Sequence, residues 1–535
     1  QVWQQVLQRE EVGVQEEFFA IGGHSLLAMQ VQVRLQQVLG RSIALRTLFE
    51  APTIAQLAQR LLQEQWQGTP IPVLRPQSRG QEIPLSFGQQ RLWFLDQLEP
   101  GSLTYQIPLV VRLHGALARG ALRQALAMVV ARHEILRTSF PSRQGRAVQQ
   151  IAEQVSTPLP IVDLSGLAAQ RAEEQAGQEV QQALARPFDL AHGPLLRGEL
   201  LSLSSQEHVL VLVLHHSITD GWSQNILVHE LTQCYQALCQ GEQPELPELP
   251  VQYADYTLWQ HQWLQGEMLE HLLSYWRGQM LGAPPALELP TDHPRTLTPT
   301  YHGDNFVCLL PQSVGEQVQQ LSRNEGVTLF MTLLAAFLVV LSTVSGQEDI
   351  VVGSSIANRQ QIELEQLIGF FMNTLLLRTD LSGNPSFREL LQRVRETCLG
   401  AYAHQDLPFE LLVETLQPER QQGRSPFFLV RFQLQNAPAM HSDFGGVTIS
   451  PVSAQRETTK FDFTLNVSET SEGLQLNAEY NTTLFEQVTI KRLMELYQIV
   501  LEQSVMKPDC NIKSFIIDED QQRIIDDFNE NLEPS

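Results

Sequence analysis

A proline-rich break divides the chain into a short first part and a much longer second part. Residues 68–84 read GTPIPVLRPQSRGQEIP, with four prolines and little apolar periodicity. A segment of this kind is a semi-extended linker that is stiffer than a tether of glycine and serine. We therefore expect separately folded units on its two sides, joined so that they can change their relative position.

The first 65 residues have the periodicity of short helices. Apolar residues recur at helical spacing over 27–38 and again over 54–61, and Pro52 with Thr53 fits the start of the last helix. A unit this small lies near the lower limit of independent stability, so short and well-packed helices are expected.

The second part alternates strand-like and helix-like runs. The strand-like runs include 209–214, 350–352 and 427–433, and the helix-like runs include 117–132, 222–239 and 387–403. Because the length is large for one hydrophobic core, we expect two α/β lobes. Proline-rich stretches at 244–250 and 284–299 are the two candidate boundaries between them.

An uncharged run at residues 327–346 allows two interpretations. It covers 20 residues, which is enough to cross a bilayer. A helix buried on all sides in a large core has the same composition. Threonines and serines interrupt the run, and acidic residues flank it at Glu325, Glu348 and Asp349. These features favour the buried helix and predict no membrane association.

The charge and the cysteines exclude several classes of function. A net charge of -23 argues against a general binder of nucleic acid or of anionic membranes. The five cysteines form no Cys-x-x-Cys pair, so neither a disulfide framework nor a structural metal site is predicted. A reducing, cytoplasmic compartment is expected. The chain begins without Met, as a fragment of a longer protein would.

The string Phe-Phe-Ala-Ile-Gly-Gly-His-Ser-Leu-Leu at residues 18–27 carries the first chemical signal. Its two glycines permit a tight turn and place Ser25 at a helix start. Unpaired N–H groups and the helix dipole favour an anion there, such as a phosphodiester on the serine. A plain N-cap serine has the same local pattern, and local physics alone favours it.

The string His-His-Ser-Ile-Thr-Asp-Gly-Trp-Ser at residues 215–223 carries the second signal. Because neighbouring side chains on a strand point to opposite faces, His215 and His216 cannot easily converge on a metal. One histidine can project into a cleft for proton transfer while the other supports it. Asp220 can brace the loop, and the Gly221 N–H could face developing negative charge. A buried core histidine is the alternative.

The first string resembles the phosphopantetheine attachment site of carrier proteins from nonribosomal peptide synthetases. The family pattern is (D/N)xFFxxGGxS, and one departure is Glu17, where the family often has Asp or Asn nearby. The resemblance implies that Ser25 carries a covalent 4′-phosphopantetheine and that residues 1–65 are a four-helix carrier bundle, shortened at its N-terminus.

The second string resembles the active-site motif of condensation domains in the same synthetases, in the chloramphenicol acetyltransferase-like superfamily. The resemblance implies that His216 faces the reacting groups and that Asp220 is structural, bonded to an arginine. Arg359, in a segment similar to the one that supplies this arginine, is the expected partner. Further similar motifs occur at 84–95, 132–138, 253–256, 368–374 and 404–410.

The resemblance also implies the architecture. After the linker at 66–83, the condensation domain is expected to have an N-terminal lobe at 84–255 and a C-terminal lobe at 256–517, arranged as a V-shaped pseudo-dimer. The catalytic histidine is expected in a tunnel between the lobes. Residues 518–535 are expected to lead to a following adenylation domain.

The function implied is peptide bond formation. An acceptor amine on a downstream carrier would attack the acyl thioester held on Ser25, with His216 as general base or positioning group. The other expected partners are adenylation domains and a phosphopantetheinyl transferase, and the fragment is expected to be monomeric. The opening motif is more similar to the subtype that joins an L-configured donor to an L-configured acceptor.

Relatives of the same fold leave alternatives open. An epimerisation domain usually lacks the Gly-Trp-Ser that follows the aspartate here. A cyclisation domain would have aspartates in place of the histidines, and a non-catalytic docking domain would lose part of the motif. An ester-forming condensation domain, which uses a hydroxyl nucleophile, has the same residues.

Overall fold

The structure is a computed structural model. It describes residues 1–40, 43–63, 72–80, 82–155, 158–284, 287–295, 302–417, 427–435, 444–452 and 458–515. The expected C-terminal linker at 518–535, and residues 66–71 and 81 of the expected first linker, lie outside the described residues.

The first unit is a small helical bundle, as its periodicity predicts. Its four described helices are α1 (Val2–Leu7), α2 (Ser25–Leu39), α3 (Leu45–Glu50) and α4 (Ile54–Gln63). Aromatic contacts fill its centre: the rings of Trp3 and Phe18 lie 5.0 Å apart, and those of Phe19 and Phe49 lie 4.7 Å apart. Thr53 accepts a hydrogen bond from the Gln56 N–H and so begins α4 at the predicted position.

The first half of the large unit is built on two sheets. Its strands are β1 (Ile83–Pro84), β2 (Gln106–His114), β3 (Thr138–Ser139), β4 (Ser142–Arg143), β5 (Arg146–Ile151), β6 (Ile161–Asp163), β7 (Leu196–Ser202) and β8 (Glu207–His215). Its helices are α5 (Phe87–Leu98), α6 (Arg119–Arg132), α7 (Ala169–Leu184) and α8 (Gly221–Cys239). A small sheet has the order β1-β5-β3, with β4 on β5.

The second half is built on one six-stranded sheet. Its helices are α9 (Tyr253–Trp263), α10 (Gly266–Met280), α11 (Gln312–Asn324), α12 (Leu329–Ser345), α13 (Phe387–Ala403), α14 (Phe409–Leu416) and α15 (Gln487–Met506). Its strands are β9 (Gly303–Leu310), β10 (Asp349–Ile356), β11 (Asn373–Asp380), β12 (Val430–Gln435), β13 (Thr448–Pro451), β14 (Phe463–Thr470) and β15 (Gly473–Asn481). The sheet order is β11-β10-β12-β14-β15-β9.

Strand β13 joins the sheet of the first half. That five-stranded sheet has the order β13-β2-β8-β7-β6, and Thr448 pairs with His114 while Pro451 pairs with Val111 in antiparallel register. The second half therefore contributes a strand to the sheet of the first half, and this strand lies more than 300 residues after its partner β2. No pattern in the sequence predicted this pairing.

Helix α12 is the uncharged run, and it is buried as expected. Side chains from Met331 to Leu341 have at most 2% exposure. The Thr328 hydroxyl begins the helix by accepting a hydrogen bond from the Met331 N–H, and Gly346 ends it with φ 70°. Among the described residues, no single helix is long and apolar enough to span a membrane. Helices α11 and α12 satisfy the criterion only as a pair, which is bent by 107°.

The described part of the first linker is bound to the large unit. The Trp259 indole donates a 2.7 Å hydrogen bond to the Pro72 carbonyl, and the Gln77 N–H donates a 2.8 Å bond to Asp255. Arg79 pairs with the same aspartate and with Glu134. These contacts attach residues 72–80 to the large unit, mainly at helix α9.

Candidate active site

Strand β8 carries the double histidine to the edge of the first sheet. The strand ends at His215, and a short 3₁₀ turn, His216–Ile218, follows it. The His216 N–H continues the sheet contact by donating to the Tyr105 carbonyl at 2.8 Å. The two imidazoles have different neighbours, as opposite faces of a strand require, so they do not converge on one ligand.

His215 is the supporting histidine. It is 3% exposed, and its Nδ1 accepts the Ser217 N–H at 3.2 Å and lies 2.8 Å from the Ser217 hydroxyl. Burial, followed by the nearby His216 and Lys460, lowers the pKa of His215 to about 3. The ring is therefore uncharged at neutral pH, and its role here is to order the turn after β8.

His216 is held in one tautomer. Its Nδ1 lies 2.7 Å from the carbonyl oxygen of Thr219. Because a carbonyl oxygen only accepts, Nδ1 carries a proton, and in the neutral ring the lone pair is therefore on Nε2. The ring of Phe370 packs edge-on against the imidazole with centroids 4.8 Å apart, and the residue keeps 8% exposure. Backbone and aromatic contacts together fix the direction of Nε2.

Asp220 organises the segments around this histidine. Its carboxylate accepts hydrogen bonds from the Ser223 N–H at 2.8 Å, which caps helix α8, and from the Phe371 N–H at 3.0 Å. Arg359 donates to the same carboxylate at 3.4 Å. The residue is 2% exposed, so three donors satisfy a buried carboxylate.

Arg359 links Asp220 to the chain that follows β10. Its side chain is 2% exposed and donates to the carbonyls of Leu364 and Leu367 and to the Ser223 hydroxyl. The guanidinium also lies 4.1 Å from the centroid of the Phe371 ring. Residues 139 positions apart in sequence are thereby brought into one network.

Ser223 and Gly369 belong to this network although the sequence analysis assigned them no role. The Ser223 hydroxyl donates to the Gly369 carbonyl at 2.8 Å and accepts the Gly369 N–H at 3.1 Å. A Cβ on Gly369 would lie 2.1 Å from the Tyr253 ring, so only glycine allows this approach. The motif Ile368–Thr374 contained the signal, but not the identity of its partner.

Tyr253 and Gln89 are two further residues that the sequence analysis did not assign to the site. The Tyr253 hydroxyl donates to the Phe370 carbonyl at 2.6 Å and lies 2.9 Å from the Ser86 hydroxyl. The fully buried Gln89 amide donates to the Ser217 carbonyl at 3.0 Å. Tyr253, on α9, thus fixes the Phe370 backbone, and Gln89, on α5, fixes the double-histidine turn.

Gly221 is the first residue of α8, and its N–H therefore has no partner within the helix. A Cβ at this position would meet no atom within 4 Å, so the space beside its backbone is open. The structure therefore leaves room for a group to approach the helix N-terminus here.

Ser25 is the first residue of the 15-residue helix α2. Gly22 has φ +103°, and a Cβ on Gly23 would lie 2.3 Å from the Phe18 ring, so both glycines are required by the turn. The N-cap residue, His24, makes no side-chain capping bond. The first N–H groups of α2 are thus uncapped by this side chain, which suits a phosphodiester on Ser25.

Comparison with known proteins agrees with this geometry. The family model for the condensation domain matches residues 79–525, and the model for the phosphopantetheine attachment site matches residues 1–61. The chain belongs to the condensation-domain family. It carries, in front of that domain, a carrier domain of the kind that holds covalent 4′-phosphopantetheine.

Curated relatives are much longer than this chain. It is 46% identical over 519 residues to a component of the linear gramicidin synthase of Brevibacillus parabrevis, covering 96% of this chain and 7% of the relative. It is 40% identical over 521 residues to a dimodular nonribosomal peptide synthase of Bacillus subtilis (strain 168), covering 95% and 22%. The chain thus corresponds to a small part of each synthetase.

Solved structures show the same fold. The X-domain in complex with OxyB from teicoplanin biosynthesis aligns with a TM-score of 0.75 and 27% identity, covering 84% of this chain and 100% of that chain. The first condensation domain of the calcium-dependent antibiotic synthetase, bound to a substrate analogue, aligns with a TM-score of 0.66 and 22% identity, covering 81% and 99%. The predicted fold class is confirmed.

Replacing Asp220 by alanine tests its structural role. Asp220→Ala removes one partner of a buried ion pair and a helix cap, so we expect a loss of about 3–5 kcal/mol in the free energy of unfolding. Urea denaturation measures it. Asp189→Ala is the matched control, because that carboxylate also accepts backbone hydrogen bonds but is 63% exposed. An unchanged midpoint for Asp220→Ala would refute the role.

The low pKa of His215 predicts a specific acid sensitivity. The unfolded residue takes up a proton near pH 6.5 and the folded one only near pH 3, so its contribution is complete above pH 6.5 and is lost as pH falls. Between pH 7 and pH 4, the free energy of unfolding of the parent should fall by on the order of 3 kcal/mol more than that of His215→Gln. Urea denaturation at each pH measures this difference. His192→Gln, at an 83% exposed side chain, should retain the parental dependence. If the free energy of unfolding depends on pH in the same way for His215→Gln and the parent, the low pKa of His215 is contradicted.

Proposed function

We propose that this chain forms an amide bond between two carrier-bound substrates in nonribosomal peptide synthesis. The observation that carries the proposal is the His216 imidazole, whose proton is committed to the Thr219 carbonyl through Nδ1. A histidine whose Nδ1 proton is held in this way can use Nε2 as a base for an amine. The carrier domain in the same chain supplies an attachment point for one substrate.

The reaction is nucleophilic substitution at a thioester. The acceptor amine attacks the donor carbonyl carbon, the C–N bond forms, and the C–S bond breaks. His216 Nε2 accepts the amine proton as the C–N bond forms. Nε2 then gives that proton to the leaving thiolate. Phe370 and Thr219 keep the ring in place, and proximity of two tethered substrates supplies much of the rate.

Gly221 and Asp220 act beside the base in this proposal. The Gly221 N–H, at the open N-terminus of α8, donates toward the oxygen that becomes negative as the amine adds. Asp220 and Arg359 do not touch the substrates and act as positioning residues, because their contacts hold α8 and the Phe370 segment together. His215 orders the turn between them.

Ser25 is the proposed attachment residue for 4′-phosphopantetheine. When bound, that group supplies a thiol that holds the donor acyl group as a thioester. The helix N-terminus at Ser25 stabilises the negative phosphodiester. We expect a phosphopantetheinyl transferase, neighbouring adenylation domains and a downstream loaded carrier as partners. The proposed domains are the carrier at 1–65 and the two condensation-domain lobes at 84–255 and 256–517. The channel that contains His216 is proposed to lie between these lobes.

The finer assignments rest on the resemblance. The opening motif around Arg91 and Trp93 supports a subtype that joins an L-configured donor to an L-configured acceptor. A cytoplasmic setting is supported by five unpaired cysteines in the described residues. Competition between acceptors of defined configuration on loaded carriers tests the subtype.

Removing the imidazole tests the catalytic assignment. His216→Ala should lower amide formation from loaded donor and acceptor carriers by about 10²- to 10⁴-fold, the usual contribution of a general base. His192→Ala, at the exposed surface, is the control. Mass spectrometry of the product measures the rate, and an unchanged melting temperature shows that the fold survives. Turnover at the parental rate would exclude a catalytic His216, and an ester product from a hydroxyl acceptor would favour the ester-forming relative.

A mass measurement tests the attachment residue. Incubated with coenzyme A and a phosphopantetheinyl transferase, the parent chain should gain one phosphopantetheine, whereas Ser25→Ala should gain none. Ser102→Ala is a suitable control because that serine lies in the condensation domain and should not affect loading. A mass gain by Ser25→Ala would place the attachment elsewhere.

A further inference from the structure

The carrier domain contacts the condensation domain through two ion pairs. Arg34 on α2 lies 2.9 Å from Glu365, and Arg46 on α3 lies 2.5 Å from Glu396 on α13. Both arginines belong to the carrier and both glutamates to the condensation domain, so the charges are complementary across the contact. The geometry distinguishes the two pairs by their burial and by what each glutamate is connected to.

The Arg34–Glu365 pair is the more buried. Its side chains are 21% and 14% exposed, against 44% and 52% for Arg46 and Glu396. Burial raises the pKa of Glu365, and Arg34 opposes that shift. Exposed ion pairs contribute little to an interface, whereas loss of one partner of a desolvated pair leaves an uncompensated charge. Arg34 is therefore expected to contribute more to docking than Arg46.

Glu365 also belongs to the segment that supports the catalytic motif. Its carbonyl accepts the Trp222 indole N–H at 2.9 Å, and Trp222 directly follows Gly221. The carbonyls of its neighbours Leu364 and Leu367 accept from Arg359, the partner of Asp220. A carrier that binds Glu365 therefore binds the chain segment that braces the active site.

Helix α2 connects this contact to the attachment residue. The helix runs without interruption from Ser25 to Leu39, and Arg34 lies nine residues after Ser25. At 1.5 Å per residue, the two positions are separated by about 14 Å along a rigid rod. Fixing Arg34 on Glu365 therefore limits where Ser25 can lie relative to the condensation domain.

We propose that the Arg34–Glu365 pair is the docking determinant that holds the carrier against the bracing segment at residues 362–369, and that Arg46–Glu396 is a minor outer contact. This inference rests on the proposed function, because docking matters only if the carrier presents a substrate. The occupant of this surface is the chain's own carrier domain.

Hydrogen exchange of the unloaded full chain tests docking without any chemistry. The Leu364, Glu365, Leu367 and Gly369 amides are all hydrogen-bonded, so their exchange reports on the segment. Arg34→Glu should raise exchange over 362–369 about tenfold, the effect of losing about 1.4 kcal/mol. The charge exchange Arg34→Glu with Glu365→Arg should restore protection. Arg46→Glu, the matched control, should change it less than about twofold.

Amide formation from a carrier-bound donor and from a small acyl thioester completes the test. Arg34→Glu should lower the single-turnover rate from the donor on Ser25 about tenfold and leave the rate with the small thioester unaffected. If the variant with exchanged charges does not fold, the single variants Arg34→Gln and Glu365→Gln and their combination are compared instead. Non-additive effects of the two substitutions then show that the two residues interact. Unchanged exchange and rate for Arg34→Glu, or equal losses for Arg46→Glu, would overturn the inference. If Arg34→Glu raises hydrogen exchange over 362–369 but the parent chain forms no amide, docking is supported and the proposed function is refuted.

Discussion

The buried ion pair between Asp220 and Arg359 is the interaction on which the rest of the site depends. Burying two charges with 3% or less side-chain exposure is costly unless the charges are paired and hydrogen-bonded. Here the carboxylate also accepts two backbone N–H groups, and the guanidinium also donates to two carbonyls and a hydroxyl. Because these partners lie on α8 and on the segment after β10, the pair binds the two halves together beside the turn that carries His216.

His216 gains its direction from this arrangement rather than from a carboxylate of its own. Its Nδ1 proton goes to the Thr219 carbonyl, and the adjacent Asp220 keeps the turn closed by capping α8. Phe370 covers the ring edge, and its own carbonyl is held by Tyr253. The charged pair thus holds together the backbone segments around His216, and the imidazole itself is oriented by uncharged contacts.

Much of the architecture was predictable because it leaves a local pattern. Helical spacing marked the carrier bundle, and an uncharged run marked buried α12. The proximity of Asp220 and Arg359 was expected from family resemblance, since nothing local connects residues 139 apart. The pairing of β13 with the first sheet was not predictable, because the sequence of a four-residue strand does not indicate which strand it pairs with. The roles of Ser223 and Gly369 depend on hydrogen bonds between distant loops, and the Arg34–Glu365 contact joins surface residues of two domains. None of these features has a period in the sequence.

The tautomer of His216 is the most direct test of this account. Nitrogen-15 NMR of the full chain with labelled histidine, assigned by loss of one signal in His216→Gln, reports which ring nitrogen carries the proton at neutral pH. The account predicts that the neutral form of the ring carries its proton on Nδ1. A neutral ring protonated on Nε2 would contradict it, because the lone pair would then point at the Thr219 carbonyl and the supporting network would have no catalytic purpose.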